Sequence, residues 1–282
     1  MDRVLVPIDF SEESHHALDL AYQIARKSNA RLILLNVIEH PTSQNFSALG
    51  DALPGDFESN VYILQLIKKV RADLTAIIED PQYSDIDIRF DIQIGNPYKS
   101  IAATISEHEV ELVVMGTKGA SGIDEVLIGS NAEKVVRYAR CPVITVKHKV
   151  NITDIGEILF ASSFTENNDK IIDHLKKLQK IFVGKLHLLK VNTPNNFERD
   201  QVSKNLMKKF AGDYQLEDYT LNIYNELSEE DGILHFAAES QVDMIALVTH
   251  GRTGLMHLLS GSIAEDVVNH AKRPVWTLNI HG

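Results

Sequence analysis

The sequence predicts an α/β chain of two tandem domains, each an open five-stranded parallel sheet of order 3-2-1-4-5 with helices on both faces. Three observations predict it. The 282 residues are written twice; within each copy short apolar runs alternate with stretches of helical period; and 44% hydrophobic with 24% charged residues supplies enough apolar side chains for a core in each half.

The repeat is legible residue by residue. Val4-Leu5-Val6-Pro7-Ile8-Asp9-Phe10-Ser11-Glu12 returns as Ile158-Leu159-Phe160-Ala161-Ser162-Ser163-Phe164-Thr165-Glu166, an apolar strand followed by Phe, a hydroxyl residue and Glu, at an offset of 154. Leu32-Ile33-Leu34-Leu35-Asn36-Val37 returns as Leu186-His187-Leu188-Leu189-Lys190-Val191 at the same offset. Further on, Gly119-Ala120-Ser121-Gly122 and Gly129-Ser130 match Gly251-Arg252-Thr253-Gly254 and Gly261-Ser262 at an offset of 132, so the first copy carries about 22 additional residues in between. They fall in the Pro41 to Phe57 region, whose Pro, Ser, Asn and Gly content reads as a long loop, a surface connection in preference to a lid. The boundary between copies lies around Lys147 to Gly156, giving domains 1–148 and 154–282.

The elements of copy one follow in order. Val4 to Ile8, Leu32 to Val37, Leu112 to Met115 and Val143 to Val146 are short, nearly continuous apolar runs, as expected of parallel strands covered on both faces. Ile86, Ile88, Phe90, Ile92 and Ile94 alternate with polar residues and mark a strand with one face less buried. Between the strands, Ser11 is an N-cap before a helix to about Ser28, Asn60 to Glu79 carries a 3.6-residue period, Pro97 opens a helix through Glu107, and Asn131 to Ala139 forms a fourth. Strand–helix alternation of this kind implies right-handed crossovers in a parallel sheet, and ligands bind at the carboxyl ends of its strands where the winding reverses. With order 3-2-1-4-5 that crevice lies between the strand ending near Asp9 and the strand ending at Met115-Gly116.

Gly116-Thr117-Lys118-Gly119, then nine residues, then Gly129-Ser130-Asn131 at a helix start, meet at this place. Glycines let a backbone approach a polyanion closely, and the free N–H groups and dipole of a helix start favour phosphate. Ser130 adds a hydroxyl donor, and Lys118 reads either as a phosphate partner or as a solvated loop lysine. Asp9 stands across the crevice as an acceptor for ribose hydroxyls or an adenine amino group, with Val37 and Met115 as apolar walls. The constellation reads as a nucleotide site.

These residues resemble the universal stress protein family in its tandem form. The pattern G-x2-G-x9-G-S is matched by Gly116, Gly119, Gly129 and Ser130, joined by the early strand ending in Asp, the Ser11-Glu12-Glu13-Ser14 helix start and Cys141-Pro142-Val143 before the last strand. The resemblance implies a Rossmann-like fold and ATP binding with Mg2+. Carried over, Pro7 and Asp9 lie near adenine and ribose, Val37 contacts adenine through its backbone, Met115 and Gly116 flank the nucleotide, and Gly119, Gly129, Ser130 and Asn131 hold phosphates. Asn131 departs from the apolar residue common at that place in the family, although the backbone N–H is kept. The resemblance also suggests that the last strands, Val143 to Val146 and Val275 to Ile280, pair as an intramolecular pseudo-dimer; a further homodimer is not required by the pattern.

Copy two breaks the pattern twice. Val248 stands where Gly116 would be and Ser163 where Asp9 would be, so one ATP per chain is expected, in the N-terminal domain. Gly251, Arg252, Gly261 and Ser262 survive, which leaves a bare phosphate or a different phosphorylated ligand as the lesser expectation there. The function expected is nucleotide-dependent regulation or stress response, with a weak ATPase or autokinase as the alternative; no catalytic residue and no protein metal site is assigned, since no base is evident and no Walker pattern occurs.

Other residues take plainer readings. His15 and His16 are adjacent on a helix and share no face, and His250 and His257 lack a partner at zinc-site spacing. The single cysteine, Cys141, is a buried small side chain, and Trp276 sits in the last strand, buried or at an interface. A net charge of −11 argues against nucleic acid as a partner, and the absence of a signal peptide or a spanning apolar stretch predicts a cytoplasmic protein with no membrane contact.

Overall fold

A computed structural model describes residues 1–39, 56–119, 128–165, 169–249 and 260–279. The first half runs β1 (Arg3–Pro7), α1 (Glu12–Ser28), β2 (Arg31–Ile38), α2 (Asp56–Ile78), β3 (Ile88–Ile94), α3 (Pro97–Glu107), β4 (Leu112–Gly116), α4 (Ser130–Tyr138) and β5 (Val143–Val146). A short 3-10 turn, Ile152–Asp154, leads into β6 (Glu157–Ala161), α5 (Asp169–Phe182), β7 (Lys185–Asn192), α6 (Asp200–Asp213), β8 (Tyr219–Asn225), α7 (Glu229–Glu239), β9 (Met244–Thr249), α8 (Ser260–His270) and β10 (Val275–Asn279).

All ten strands join one sheet of order β3-β2-β1-β4-β5-β10-β9-β6-β7-β8. Each half is parallel throughout in the order 3-2-1-4-5, and the halves meet at the antiparallel pair β5–β10, with Trp276 opposite Ile144. The last strands thus cover one another's edges and make a pseudo-dimer within the chain.

Local chemistry explains the helix limits. Ser11 accepts the Ser14 N–H at 3.2 Å and caps α1, whose acidic first turn and basic last turn, Arg26 and Lys27, complement the helix dipole. Asn96 caps α3 by accepting the Lys99 N–H, and Pro97 fills the first position, where no N–H is needed. The third strand begins at Ile88, two residues later than the alternation predicts, because Ile86 belongs to the turn that returns its N–H to the Tyr83 carbonyl. The second helix begins at Asp56, ahead of the expected Asn60, and the long loop predicted before it lies almost wholly outside the described residues.

Backbone conformation repeats as faithfully as sequence. Phe10 and Phe164 follow the first strand of each half at φ 64° and 58°, Asn29 and Val183 end the first helix at 56° and 54°, and Glu109 and Gln241 precede the fourth strand at 46° and 50°. Left-handed conformations cost a side chain strain, so their recurrence at equivalent places marks the same turn geometry in both copies.

Each face of the sheet carries one core that runs through both halves. Val4, Val6, Leu34, Phe160, Leu188 and Trp276 belong to the core on one face; Leu5, Leu35, Val113, Leu159, Leu189 and Val267 belong to the other. Polar ties cross between the halves as well: Lys177 to Glu111 at 2.9 Å, Arg137 to Glu265 at 3.2 Å, and the Ile152 N–H to Gln23 Oε1 at 2.9 Å. Among the described residues no helix is long and apolar enough to cross a membrane.

Candidate functional site

In the first half the winding reverses between β1 and β4, so the carboxyl ends of these strands form the crevice. The corner after β1 is pinned from below: the Ile8 N–H reaches the Leu35 carbonyl at 2.9 Å, and the buried Asn36 amide donates to the Ile8 carbonyl at 2.8 Å. Phe10 turns in the left-handed region, which brings Ser11 back onto Asp9. The Asp9 carboxylate accepts the Ser11 N–H at 3.1 Å and its hydroxyl at 2.5 Å, so Asp9 orients the residue that caps α1.

Across the crevice β4 ends at Gly116, and the two glycines that follow one another in the pattern serve different neighbours. A β-carbon on Gly116 would sit 2.8 Å from the Glu13 Cβ and 2.9 Å from the Glu13 carbonyl carbon, so this glycine admits the first turn of α1. A β-carbon on Gly119 would sit 2.7 Å from Asp9 Oδ2. Gly119 therefore lets the turn pass close against the Asp9 carboxylate, and it brings together two residues that the sequence holds 110 positions apart.

The far side of the turn closes through Gly129, whose N–H donates to the Thr117 carbonyl at 2.7 Å, while the Thr117 N–H holds the Val146 carbonyl at 3.2 Å. Gly129 is the N-cap of α4 and provides no side-chain cap, in contrast to Ser11 on α1, Asn96 on α3 and Ser228 on α7. Ser130 is exposed and Asn131 half-buried in the opening turn. The start of α4 is thus brought against the end of β4 with, among the described residues, no side-chain cap. Thr117 itself is 2% exposed, and among the described residues its hydroxyl has no partner.

Positive charge collects on this side. Burial holds the Lys147 amine below the ordinary lysine range, and the nearby Lys118 charge presses it further down. Val37, at the end of β2, packs partly buried against the core on the α3–α4 face together with buried Met115, and Pro7 ends β1 in half-buried position. The structure therefore gathers Asp9 with Gly119, and Gly129, Ser130 and Asn131 with the end of β4, while Gly116 serves helix packing. Residues 120–127, between the two parts of the turn, lie outside the described residues.

The second half keeps the corner and changes its chemistry. The Ser162 hydroxyl accepts the Phe164 N–H at 3.2 Å, and Ser163 pairs with Thr165 through their hydroxyls at 2.8 Å, so no carboxylate stands where Asp9 does. Val248 packs against the core on the α5 face. His250, Gly251, Arg252 and His257 lie outside the described residues; Gly261 and Ser262 fall in the first turn of α8.

Thr117 and Lys147 are given no site role in the reading of the sequence. Thr117 had a signal, a hydroxyl between two residues of the glycine pattern; Lys147 had none, because its nearness to Lys118 depends on the pairing of β4 with β5. The plainer readings are accounted for: His15 Nδ1 meets the Ser11 carbonyl whereas His16 Nε2 faces Glu12, and burial pushes the Cys141 thiol up to about 12. Trp276 is 2% exposed in the strand pair between halves. Among the described residues no group of three or more His, Cys, Asp or Glu is placed to hold a metal ion.

Fold and site define a tandem, doubly wound α/β protein with a glycine turn at the switch point of its first half. A model of the universal stress protein family matches residues 1–147 and again 155–279, and the chain belongs to that family. A universal stress protein of Synechocystis sp. is 25% identical over 154 residues, covering 52% of this chain and 97% of that protein. The crystal structure of a universal stress protein from Archaeoglobus fulgidus superposes with a TM-score of 0.75 at 21% identity over 98% of both chains. The cytoplasmic domain of a prokaryotic cation chloride cotransporter shares the fold at a TM-score of 0.55 and 13% identity, covering 98% of this chain and 94% of that one.

Proposed function

We propose that the N-terminal half binds one adenine nucleotide, ATP with Mg2+, and that the chain acts as a nucleotide-dependent regulator in the stress response. One observation carries the reading: among the described residues α4 starts at Gly129 with no side-chain cap, and its first turn is drawn against the end of β4 on the same crevice where Gly119 passes close to the Asp9 carboxylate. An uncapped helix start is an anion site, and a carboxylate suits sugar hydroxyls or an exocyclic amine. The buried Thr117 hydroxyl, without a partner among the described residues, and the Lys118–Lys147 charge fit a polyphosphate beside them.

In this reading the Ser130 and Asn131 N–H groups and the Ser130 hydroxyl hold phosphates, with Gly129 fixing the start of the helix through its bond to the Thr117 carbonyl and Lys118 as counter-charge, Asp9 holds the sugar, and Pro7, Val37 and Met115 wall the base. Mg2+ arrives with the triphosphate and neutralises part of its charge. Ser163 denies the second half the carboxylate on which the same ligand depends.

Calorimetric titration with Mg-ATP tests it on the full chain. Wild type is expected to bind one nucleotide. Gly119→Val, whose side chain collides with Asp9, and Asp9→Asn are expected to weaken binding about tenfold or more, the scale of one charge-assisted hydrogen bond. Thermal melting of each variant separates lost binding from lost fold. Two equivalent sites, or none, would overturn the reading, and nucleotide turnover at enzyme-like rates would favour an ATPase or autokinase.

A further inference from the structure

The glycine turn of the first half is held from the second. The Ile128 N–H donates to Asn269 Oδ1 at 2.7 Å, and Lys147 Nζ donates to the Asn269 backbone carbonyl at 2.5 Å. Asn269 is the penultimate residue of α8. Two consecutive N–H groups just before the Ser130 start of α4 are therefore fixed from opposite sides: Gly129 by Thr117 of its own half, Ile128 by Asn269 of the other.

The pseudo-symmetry of the chain shows which part of this is special. At the offset of 132, Asn269 corresponds to Arg137 and Lys147 to Asn279. The Arg137 carbonyl accepts from Asn279 Nδ2 at 2.8 Å, so the backbone contact exists on both sides of the pseudo-dimer. The side-chain contact cannot: a guanidinium has donors only and offers nothing to a backbone N–H, and Arg137 instead pairs with Glu265 at 3.2 Å. The half with the intact glycine pattern receives the clamp, and the half with the broken pattern is denied an equivalent one.

We propose that Asn269 is a positioning residue for the nucleotide site of the first half, so that nucleotide affinity there depends on how the second half is docked. The proposal rests on the nucleotide reading above. Asn269 touches no ligand; it fixes Ile128, and together with the Gly129–Thr117 bond this sets the direction of the Ser130 N–H that opens α4. Ile128 also packs partly buried against the core on the same face, so the backbone tie and the apolar contact act on one residue. Coupling of this kind is reciprocal: nucleotide held by the turn steadies α8 in return.

The test combines Mg-ATP affinity with amide hydrogen exchange at Ile128 in wild type, Asn269→Ala and Asn269→Asp. Asn269→Ala is expected to speed exchange at Ile128 and to weaken nucleotide binding roughly five- to tenfold, with little change in melting temperature, because Asn269 sits half-buried at a helix end. Asn269→Asp keeps the acceptor and is expected to restore slow exchange and most of the affinity. Asn269→Ala binding within twofold of a wild type that does bind would overturn this proposal alone, as would an Asn269→Asp as weak as Asn269→Ala. A wild type that binds no nucleotide would overturn the functional reading and this proposal with it.

Discussion

Lys190 stands in β7 where Asn36 stands in β2, and the two hold different things. The Asn36 amide donates to the Ile8 carbonyl at 2.8 Å and ties the β1 corner to its neighbouring strand. Lys190 is 9% exposed as a residue, yet its amine is not among the buried polar atoms left without a partner, so the stem is buried and the head reaches water. Lys190→Asn exchanges the packing of that stem for an amide that faces the Ser162 carbonyl, and stability is expected to change by less than about 1 kcal/mol because the two effects oppose. Urea unfolding checks it; a midpoint lowered by more than that would mean that stem packing outweighs the restored amide.

Val183 ends α5 at φ 54°, the place where Asn29 ends α1 at φ 56°. A β-branched residue in the left-handed region carries roughly 1–2 kcal/mol of strain, and Val183 is 76% exposed, so its side chain returns little by burial. Val183→Gly is expected to raise the melting temperature by roughly 2–4 °C, and Val183→Asn by less. A scan showing no rise for either variant would refute the strain.

Both left-handed helix ends were invisible to periodicity, and their difference shows how much of this protein its sequence discloses. The strands follow from runs such as Leu32 to Val37 and from the repeat, because burial on both faces writes itself as continuous apolar sequence, whereas the pairing of the halves was legible only through the resemblance to the family. The glycine pattern located the crevice, yet it treated Gly116 and Gly119 alike. Only the placement of α1 reveals that Gly116 accommodates Glu13 while Gly119 faces Asp9. Contacts across the pseudo-dimer, such as Ile128 to Asn269, join residues 141 apart and leave no periodic trace.

Gly116→Val, the change that copy two carries at Val248, is expected to act on folding before it acts on ligand. The added β-carbon meets the Glu13 backbone, which cannot rotate away as a side-chain end can, so the first turn of α1 must shift at a cost of about 1–3 kcal/mol. The melting temperature should fall with no nucleotide present. Gly129→Ala provides the contrast, since its β-carbon would lie 3.4 Å from the Thr117 carbonyl oxygen, near ordinary contact, at a φ of −63° that alanine adopts freely. Equal melting temperatures for the two variants would remove Glu13 as the reason for glycine at 116.

Acid should loosen the join between the halves through Glu111. Burial pushes its carboxyl up, but hydrogen bonds from Lys177 at 2.9 Å and the Asp2 N–H at 2.8 Å, with the charges of Lys177 and the chain terminus, outweigh burial and hold it below the ordinary value. A carboxyl lowered on folding contributes stability that is complete above its unfolded value and is lost as pH falls through the folded one. Lys177 is half exposed, so solvent screens the pair and its worth is about 1 kcal/mol at neutral pH. Wild type is therefore expected to exceed Glu111→Gln in stability at pH 7, with the gap closing as pH drops below about 4.5 and vanishing once both states are protonated. High salt should narrow the gap at pH 7 as well, because a half-exposed pair is screened. A difference between wild type and variant that persists unchanged into acid would mean that Glu111 acts through its shape and neutral hydrogen bonds, leaving Arg137–Glu265 and the β5–β10 pair to hold the halves together.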